Sequence, residues 1–515
     1  MRVYALLTIS AAVVTSVMAG NSTYALSTVQ SVDDGTASSQ ATTSSSSLPT
    51  VELDYTTVQA VGGNTTVGYY KYQNIRFAKV PTGDLRFAAP EWPDVETEIN
   101  AGNLADADVE CKTSEDCLYL DVWAPADAVG RNLPVLVWTY GGGFTGGSKS
   151  QNTPEGLFDL TQDFVFVAYN YRVGITGLTN GPTYQHEGGV SNLCVGFNTR
   201  LRVLFQMTRF GGNAPQLFHK AYVMSPGYVP GAGHHHGEQF WQNVSSAVGC
   251  EGGHLDCMRQ VDFTNLTDAT NDAVDEYTYQ MQPRVDGFII PDTYEANLYQ
   301  GHFNFSGPCV ISHEQHEANS QAYSGVDSQE DVSTYLRIFF PAITDDVVEE
   351  LLELYPEDDY ESAGLRFADM KQSFDLTGKN LALTHALKNQ TWNAEVALGE
   401  ATHGVDQNYY WYSTYSLSTT SSSTAASTMS AGEAASVGAV TTTVNATIAV
   451  AMQKYLMSFV LTGNPNSVWP EDKLYWPQYN ESSVGTQIVL NDTFTVAADD
   501  LANSKSLFWN KALWY

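Results

Sequence analysis

The chain has 515 residues, 43% of them hydrophobic, enough to bury a sizeable core within one large domain. It carries 57 acidic against 24 basic side chains, a net charge of −33. Such a surface repels nucleic acid and anionic membranes and excludes both as partners, while leaving a neutral substrate open.

At the N-terminus, Arg2 precedes an apolar run from Val3 to Val17, and Val17 and Ala19 are small residues suited to a cleavage site. This reads as a secretory signal peptide over residues 1–19, too short in its apolar part to serve as a membrane span. No later stretch predicts a transmembrane segment. Residues 20–49 form a Ser/Thr-rich leader, and residues 50–515 are predicted to fold as one domain interrupted by a low-complexity insertion at 416–443. Nine N-X-S/T sequons, at Asn21, Asn64, Asn243, Asn265, Asn304, Asn389, Asn445, Asn480 and Asn491, fit a secreted glycoprotein of the extracellular space or cell wall.

Within the domain, short apolar and β-branched runs predict strands at Leu118–Trp123, Leu133–Thr139, Phe164–Ala168, Ala221–Met224 and Cys309–Ile311. The second and third are almost continuously apolar, as in buried parallel strands. Asn198 to Phe210 predicts a helix, with Asn198 as a candidate N-cap, Leu201, Leu204 and Phe205 on one face, and Gly211-Gly212 as its stop. Alternating strands and helices imply an α/β fold with helices on both faces of the sheet. Of six cysteines, Cys111 with Cys117 and Cys250 with Cys257 are spaced to close short loops in an oxidising compartment, leaving Cys194 and Cys309 as buried thiols or a third bridge. The run His234-His235-His236, flanked by glycines, reads as a solvated loop rather than a metal site.

Tyr140-Gly141-Gly142-Gly143-Phe144 follows directly on an apolar strand. Consecutive glycines let backbone N–H groups approach a substrate oxygen with no Cβ in the way, which suits an oxyanion hole. Around it, Ser114-Glu115-Asp116-Cys117-Leu118-Tyr119-Leu120, Val137 to Phe144, Asn170-Tyr171-Arg172-Val173-Gly174, Phe210-Gly211-Gly212-Asn213 and Thr462-Gly463-Asn464-Pro465-Asn466 resemble, in order, the signatures of the type B carboxylesterase/lipase family. Upstream, Ile75-Arg76-Phe77 and Pro81-Thr82-Gly83-Asp84-Leu85-Arg86-Phe87 resemble its opening region. The resemblance spans roughly residues 50 to 515. It implies an α/β-hydrolase fold with a large, mostly parallel central sheet, and cleavage of small-molecule or lipid esters by a Ser-Glu-His triad that needs no metal or organic cofactor.

The resemblance places His403, in Thr402-His403-Gly404-Val405-Asp406, as the general base, and Glu317, in His313-Glu314-Gln315-His316-Glu317-Ala318, as the acid that orients it; Glu314 is the fallback in a shifted register. Ala318 stands where the family has glycine. Gly142 and Gly143 are the expected oxyanion donors. Tyr140, Phe144, Tyr410 and Trp411 are candidates for an apolar substrate pocket or for core packing. The nucleophile is missing: no serine stands in G-x-S-x-G. The family places that elbow soon after Phe210-Gly211-Gly212-Asn213, but here Ala214-Pro215-Gln216 runs directly into Leu217-Phe218-His219-Lys220-Ala221, which resembles the segment beyond it. A strand, the elbow and a helix, on the order of 20–30 residues, are absent at this junction. Ser362, in Tyr360-Glu361-Ser362-Ala363-Gly364, and Ser225, in Val223-Met224-Ser225-Pro226-Gly227, both lack the first glycine, and Ser362 falls after Glu317 in chain order. The absent strand belongs in the middle of the sheet, so its loss predicts a disrupted sheet with unpaired ladder groups. Three readings follow: an ester hydrolase whose chain lacks its nucleophile segment and is inactive, a non-catalytic binding or adhesion protein of the same fold, or, on secretion and glycosylation alone, a carbohydrate-binding or structural wall protein.

Overall fold

The computed structural model describes residues 48–189, 199–227, 233–277, 281, 283–318, 321–413, 444–481 and 485–511. The expected signal peptide, most of the leader, Cys194, Asn198 and the insertion at 416–443 lie outside the described residues.

Thirteen strands are described: β1 (Thr50–Glu52), β2 (Thr57–Gln59), β3 (Gly62–Asn64), β4 (Tyr69–Arg76), β5 (Ile99–Asn100), β6 (Tyr119–Pro125), β7 (Val135–Trp138), β8 (Val165–Tyr169), β9 (Ala221–Met224), β10 (Cys309–Glu314), β11 (Trp392–Val396), β12 (Thr486–Leu490) and β13 (Thr495–Ala498). The five strands read from the sequence are β6 to β10, with ends shifted by at most three residues. Beyond a small sheet of β1, β2 and β5, the strands form two five-stranded sheets, β3-β4-β6-β8-β7 and β13-β12-β11-β10-β9. Parallel pairing runs from one end of each: β7 with β8 in the first, and β9 with β10, β10 with β11 and β11 with β12 in the second. The remaining pairs, β3-β4-β6-β8 in the first sheet and β12 with β13 in the second, are antiparallel. Among the described residues β7 and β9 are therefore both end strands, where one continuous sheet was expected.

Side-chain alternation shows why both sheets are covered on two faces. Along β9 and β10, Met224 and Val310 enter one core while Ala221, Val223, Cys309 and Ile311 enter another. The first core joins the two sheets: Trp138 of β7 and Phe166 of β8 pack with Met224, Val310, Trp392 and Ala394 under helix Ala446–Thr462. That helix is set by Asn445, whose side chain accepts from the Thr447 N–H, and by Gly463, whose left-handed φ of 83° closes its C-terminus. On β7 the neighbouring residue, Val137, keeps 44% of its surface exposed, unusual for the middle of a parallel strand.

One helix boundary is refined and one expectation is corrected. The helix expected at 198–210 runs from Thr199 to Thr208; a tighter turn, Arg209–Gly212, follows, in which Phe210 and Gly211 take left-handed backbone angles. The histidine run is not a loop: it opens helix Gly233–Ala247, because Phe240, Trp241 and Val244 recur on one helical face and bury it. Both short-loop disulfides form, Cys111–Cys117 and Cys250–Cys257, and Cys309 is a buried free thiol whose pKa burial pushes up.

The family-like segments around β4 and β6 are held by charge pairs. Arg86 grips Glu115 through two bonds of 2.7 and 2.6 Å and donates to the Met258 and Val261 carbonyls, and Arg76 meets Asp116 at 2.5 Å. Deeper still, Asp121 on β6 meets Lys149 at 2.9 Å with both side chains fully buried. Burial lowers the Lys149 pKa and Asp121 partly opposes this. The Asp121 carboxylate also accepts the Asn74 N–H at 2.9 Å. Replacing Asp121 with Asn strands the Lys149 charge; urea unfolding is expected to show a loss of about 3–5 kcal/mol, with the double variant Asp121→Asn, Lys149→Met recovering most of it.

Candidate active site

The site is built at the C-terminal ends of the parallel strands, where open α/β sheets place their ligands. β10 ends at Glu314 and β11 at Val396, and the chain then leaves the sheet in two loops that remain paired. The Gln315 N–H donates to the Val396 carbonyl at 3.0 Å, the His316 N–H donates to Ala401 at 2.9 Å, and His316 forms a parallel bridge with Thr402. That register sets the next residue of each loop, Glu317 and His403, side by side. Ala401, at φ 51°, and Gly404, at φ 86°, supply the left-handed turns that present His403 between them.

Glu317 Oε2 lies 2.5 Å from His403 Nδ1. The Glu317 side chain is fully buried, whereas that of His403 is 22% exposed, so the imidazole forms the outer face of the pair. The other Glu317 oxygen accepts the Glu314 N–H at 2.9 Å. Burial alone would raise the Glu317 pKa; the His403 charge and hydrogen bond, with the Glu314 donor, outweigh it and hold the carboxyl well below the usual range.

Glu314, the fallback acid, has a different task. Its Oε1 accepts the Gly404 N–H at 2.9 Å, and its Oε2 accepts from the Ser225 hydroxyl at the end of β9. It therefore ties β9, β10 and the His403 loop together. Ser225 is buried and sits at φ 41°. Sequence reasoning set Ser225 aside as a nucleophile and saw no other task for it; its position at a strand end just before Pro226-Gly227 was the only available signal. The ligand atoms of Glu314, Glu317 and His403 lie within 4.8 Å of one another, a donor set of the kind that suits a divalent cation. All four carboxylate oxygens already accept a hydrogen bond from Gly404, Ser225, Glu314 or His403, so the cluster is satisfied as a polar network without an ion.

Gly142 and Gly143 lie in a tight turn just beyond β7, in which the Thr145 and Gly146 N–H groups donate back to the Gly142 carbonyl. Gly143 takes a φ of 56°, and a Cβ on Gly142 would stand 2.1 Å from the Gly146 carbonyl oxygen, so the turn requires glycine at both positions. Among the described residues no hydrogen bond links this turn to the Glu317–His403 pair. Ala318 takes no left-handed angle, so a methyl group costs nothing there, and its N–H donates to Gln372 at 2.9 Å. Tyr140, Phe144, Tyr410 and Trp411 are all buried in core clusters. They are packing residues here: the Trp411 ring lies tilted against Trp138 with centroids 4.5 Å apart, and Tyr410 shares a 2.8 Å hydrogen bond with Tyr222. Ser362 is the N-cap of helix Ala363–Gln372, accepting from the Leu365 N–H at 3.2 Å, so its E-S-A-G context is a helix start rather than an elbow.

The sequence model of the carboxylesterase family matches residues 48–188 and 203–509. The chain belongs to the carboxylesterase family. Its relatives include carboxylesterase patB of Penicillium expansum, 24% identical over 552 residues, covering 85% of this chain and 92% of that one. A secreted lipase of Arthroderma benhamiae is 24% identical over 451 residues, covering 78% and 83% respectively. Among solved structures, Aspergillus niger EstA superposes with a TM-score of 0.72 at 20% identity, covering 90% of this chain and 98% of EstA, which shows the shared α/β-hydrolase fold.

Because the native Glu317 pKa lies below its unfolded value of about 4.3, the stabilisation it brings is complete above that pH and is lost as pH falls through the native value. The stability difference between wild type and Glu317→Gln, followed by urea unfolding, is expected to shrink progressively below about pH 4.

Proposed function

We propose that this family member keeps the acid–base half of a serine esterase and lacks the nucleophile, so that the polypeptide as written hydrolyses esters weakly or not at all. The observation that carries this reading is the Glu317–His403 pair at 2.5 Å, oriented by a buried carboxylate at the C-terminal edge of the sheet. In this arrangement Glu317 fixes the imidazole and neutralises the charge it gains, and the remaining ring nitrogen, Nε2, is the one that would take a proton from a hydroxyl nucleophile. Gly142 and Gly143 supply N–H donors for an oxyanion. No G-x-S-x-G occurs in the chain, and the end-strand positions of β7 and β9, with the exposure of Val137, support the absence of a strand between them.

The fitting substrate class is a neutral small-molecule or lipid ester; the excess of acidic side chains disfavours nucleic acid. Secretion is supported by the signal-like N-terminus, by the two disulfides and by the sequons: none of the eight sequon asparagines among the described residues is buried. No helix among the described residues is long and apolar enough to cross a membrane.

The test pairs p-nitrophenyl butyrate turnover with labelling by a serine-reactive fluorophosphonate. We expect no stoichiometric adduct, and a rate no greater than the residual ~10³–10⁴-fold over water that a triad retains without its nucleophile. Capture of one serine at full occupancy, with turnover that the label abolishes, would overturn the reading. Sequencing the messenger across the codons for Asn213 and Ala214 then shows whether the junction belongs to the gene product.

A further inference from the structure

A cavity of about 670 Å³ lies away from the candidate active site, lined by His235, His236, Gln239, Asn243, Thr334, Arg337, Ile338 and Pro341. Its size falls within the roughly 300–1,000 Å³ range of small-ligand sites. It is formed by two helices, Gly233–Ala247 and Gln329–Phe339, that turn their backs on each other. The first buries Phe240, Trp241 and Val244 in one core; the second buries Val332, Leu336 and Phe339 in another. What faces across the seam is the other stripe of each helix: positions 236, 239 and 243 opposite 334, 337 and 338, at helical spacing on both sides, with Pro341 just beyond the second helix.

The lining selects its occupant by charge. In a chain with more than twice as many acidic as basic residues, no carboxylate lines the cavity among the described residues. Its one permanent cation, Arg337, is already paired with Asp345 at 2.6 Å. Burial, with the nearby Arg284 charge, lowers the His236 pKa to about 4, which favours its neutral form. A neutral ligand therefore fits better than an anion or a metal ion. Ile338 and Pro341 offer an apolar platform beside the amide and hydroxyl groups of Gln239 and Thr334, a mixture that matches the C–H faces and hydroxyl edges of a sugar. Asn243, half-buried on the cavity wall, begins the sequon Asn243-Val244-Ser245.

We propose that this cavity is the seat of the core N-acetylglucosamine residues of a glycan carried on Asn243, which fills the seam and ties the two helices together. The inference rests on the secretory reading above. Covalent attachment makes such weak sugar contacts effective, since a tethered ligand meets its site at an effective concentration on the order of millimolar.

The protein is expressed in a secreting eukaryotic host, and endoglycosidase cleavage between the two core sugars is followed site by site by mass spectrometry. In the native protein, release at Asn243 is expected to be about tenfold slower or more than at the exposed Asn265, equivalent to about 1.4 kcal/mol of seating, with the difference vanishing on denaturation. Ile338→Ser, a partly exposed position that leaves both cores intact, is expected to abolish most of that protection while circular dichroism stays unchanged. Equal native release rates at Asn243 and Asn265, or an unoccupied Asn243 beside occupied sequons elsewhere, would overturn the proposal and leave the secretory reading standing. Sugar on none of the sequons would overturn both.

Discussion

A carboxylate shut away from water at the end of a β-strand must be met by donors or lose its charge, and the geometry around Glu317 follows from that requirement. One oxygen takes the His403 ring nitrogen and the other takes the Glu314 backbone. Glu314, buried beside it, imposes the same demand and draws in Gly404 and Ser225. Two loops and three strand ends are thereby fixed in one arrangement, with His403 facing outward. The network is costly if any member is missing, because low polarity strengthens each bond and equally penalises each unpaired group.

The same requirement organises the opposite half of the molecule. Glu115, which the sequence offers only as part of a motif, is the nearly buried partner of Arg86, and the more exposed Asp116 beside it meets Arg76. Arg86 in turn reaches the carbonyls of Met258 and Val261, joining the strand region to the lobe closed by Cys250–Cys257. Asp121 and Lys149 form a pair deeper still. These contacts explain why a motif near Cys117 and an arginine some thirty residues upstream occur together: neither charge is tolerable in the interior without the other.

The sheet presents a different balance. Its two halves share a core in which Trp138 and Met224 pack under one helix, yet β7 and β9 each stand at the end of a ladder. Hydrophobic burial is non-directional and can bridge two sheets, whereas backbone hydrogen bonds need an adjacent strand in register. The layered packing is therefore shared across both sheets although β7 and β9 each end a ladder among the described residues. The seam between helices Gly233–Ala247 and Gln329–Phe339 is a second place where separately packed cores meet without merging.

The order of the motifs gave the family and the α/β-hydrolase class, apolar runs gave five strands to within three residues, and cysteine spacing gave both short disulfides. These features are local: strand runs carry their apolar pattern, short disulfide loops bring their own ends together, and the motif order follows the chain. What the sequence left open depends on contacts between distant segments. Which of Glu317 and Glu314 meets His403 turned on the His316–Thr402 bridge, which sets the register of two loops more than 80 residues apart. Tyr140, Phe144, Tyr410 and Trp411 could be read as pocket or core because aromatic character suits both, and only their burial decided it. The histidine run looked like a loop because glycines flank it; it became a helix start because the apolar face downstream had a core to bury itself in. The chemistry of each residue is written in the chain, but which groups must neutralise one another is settled only when folding removes the water between them.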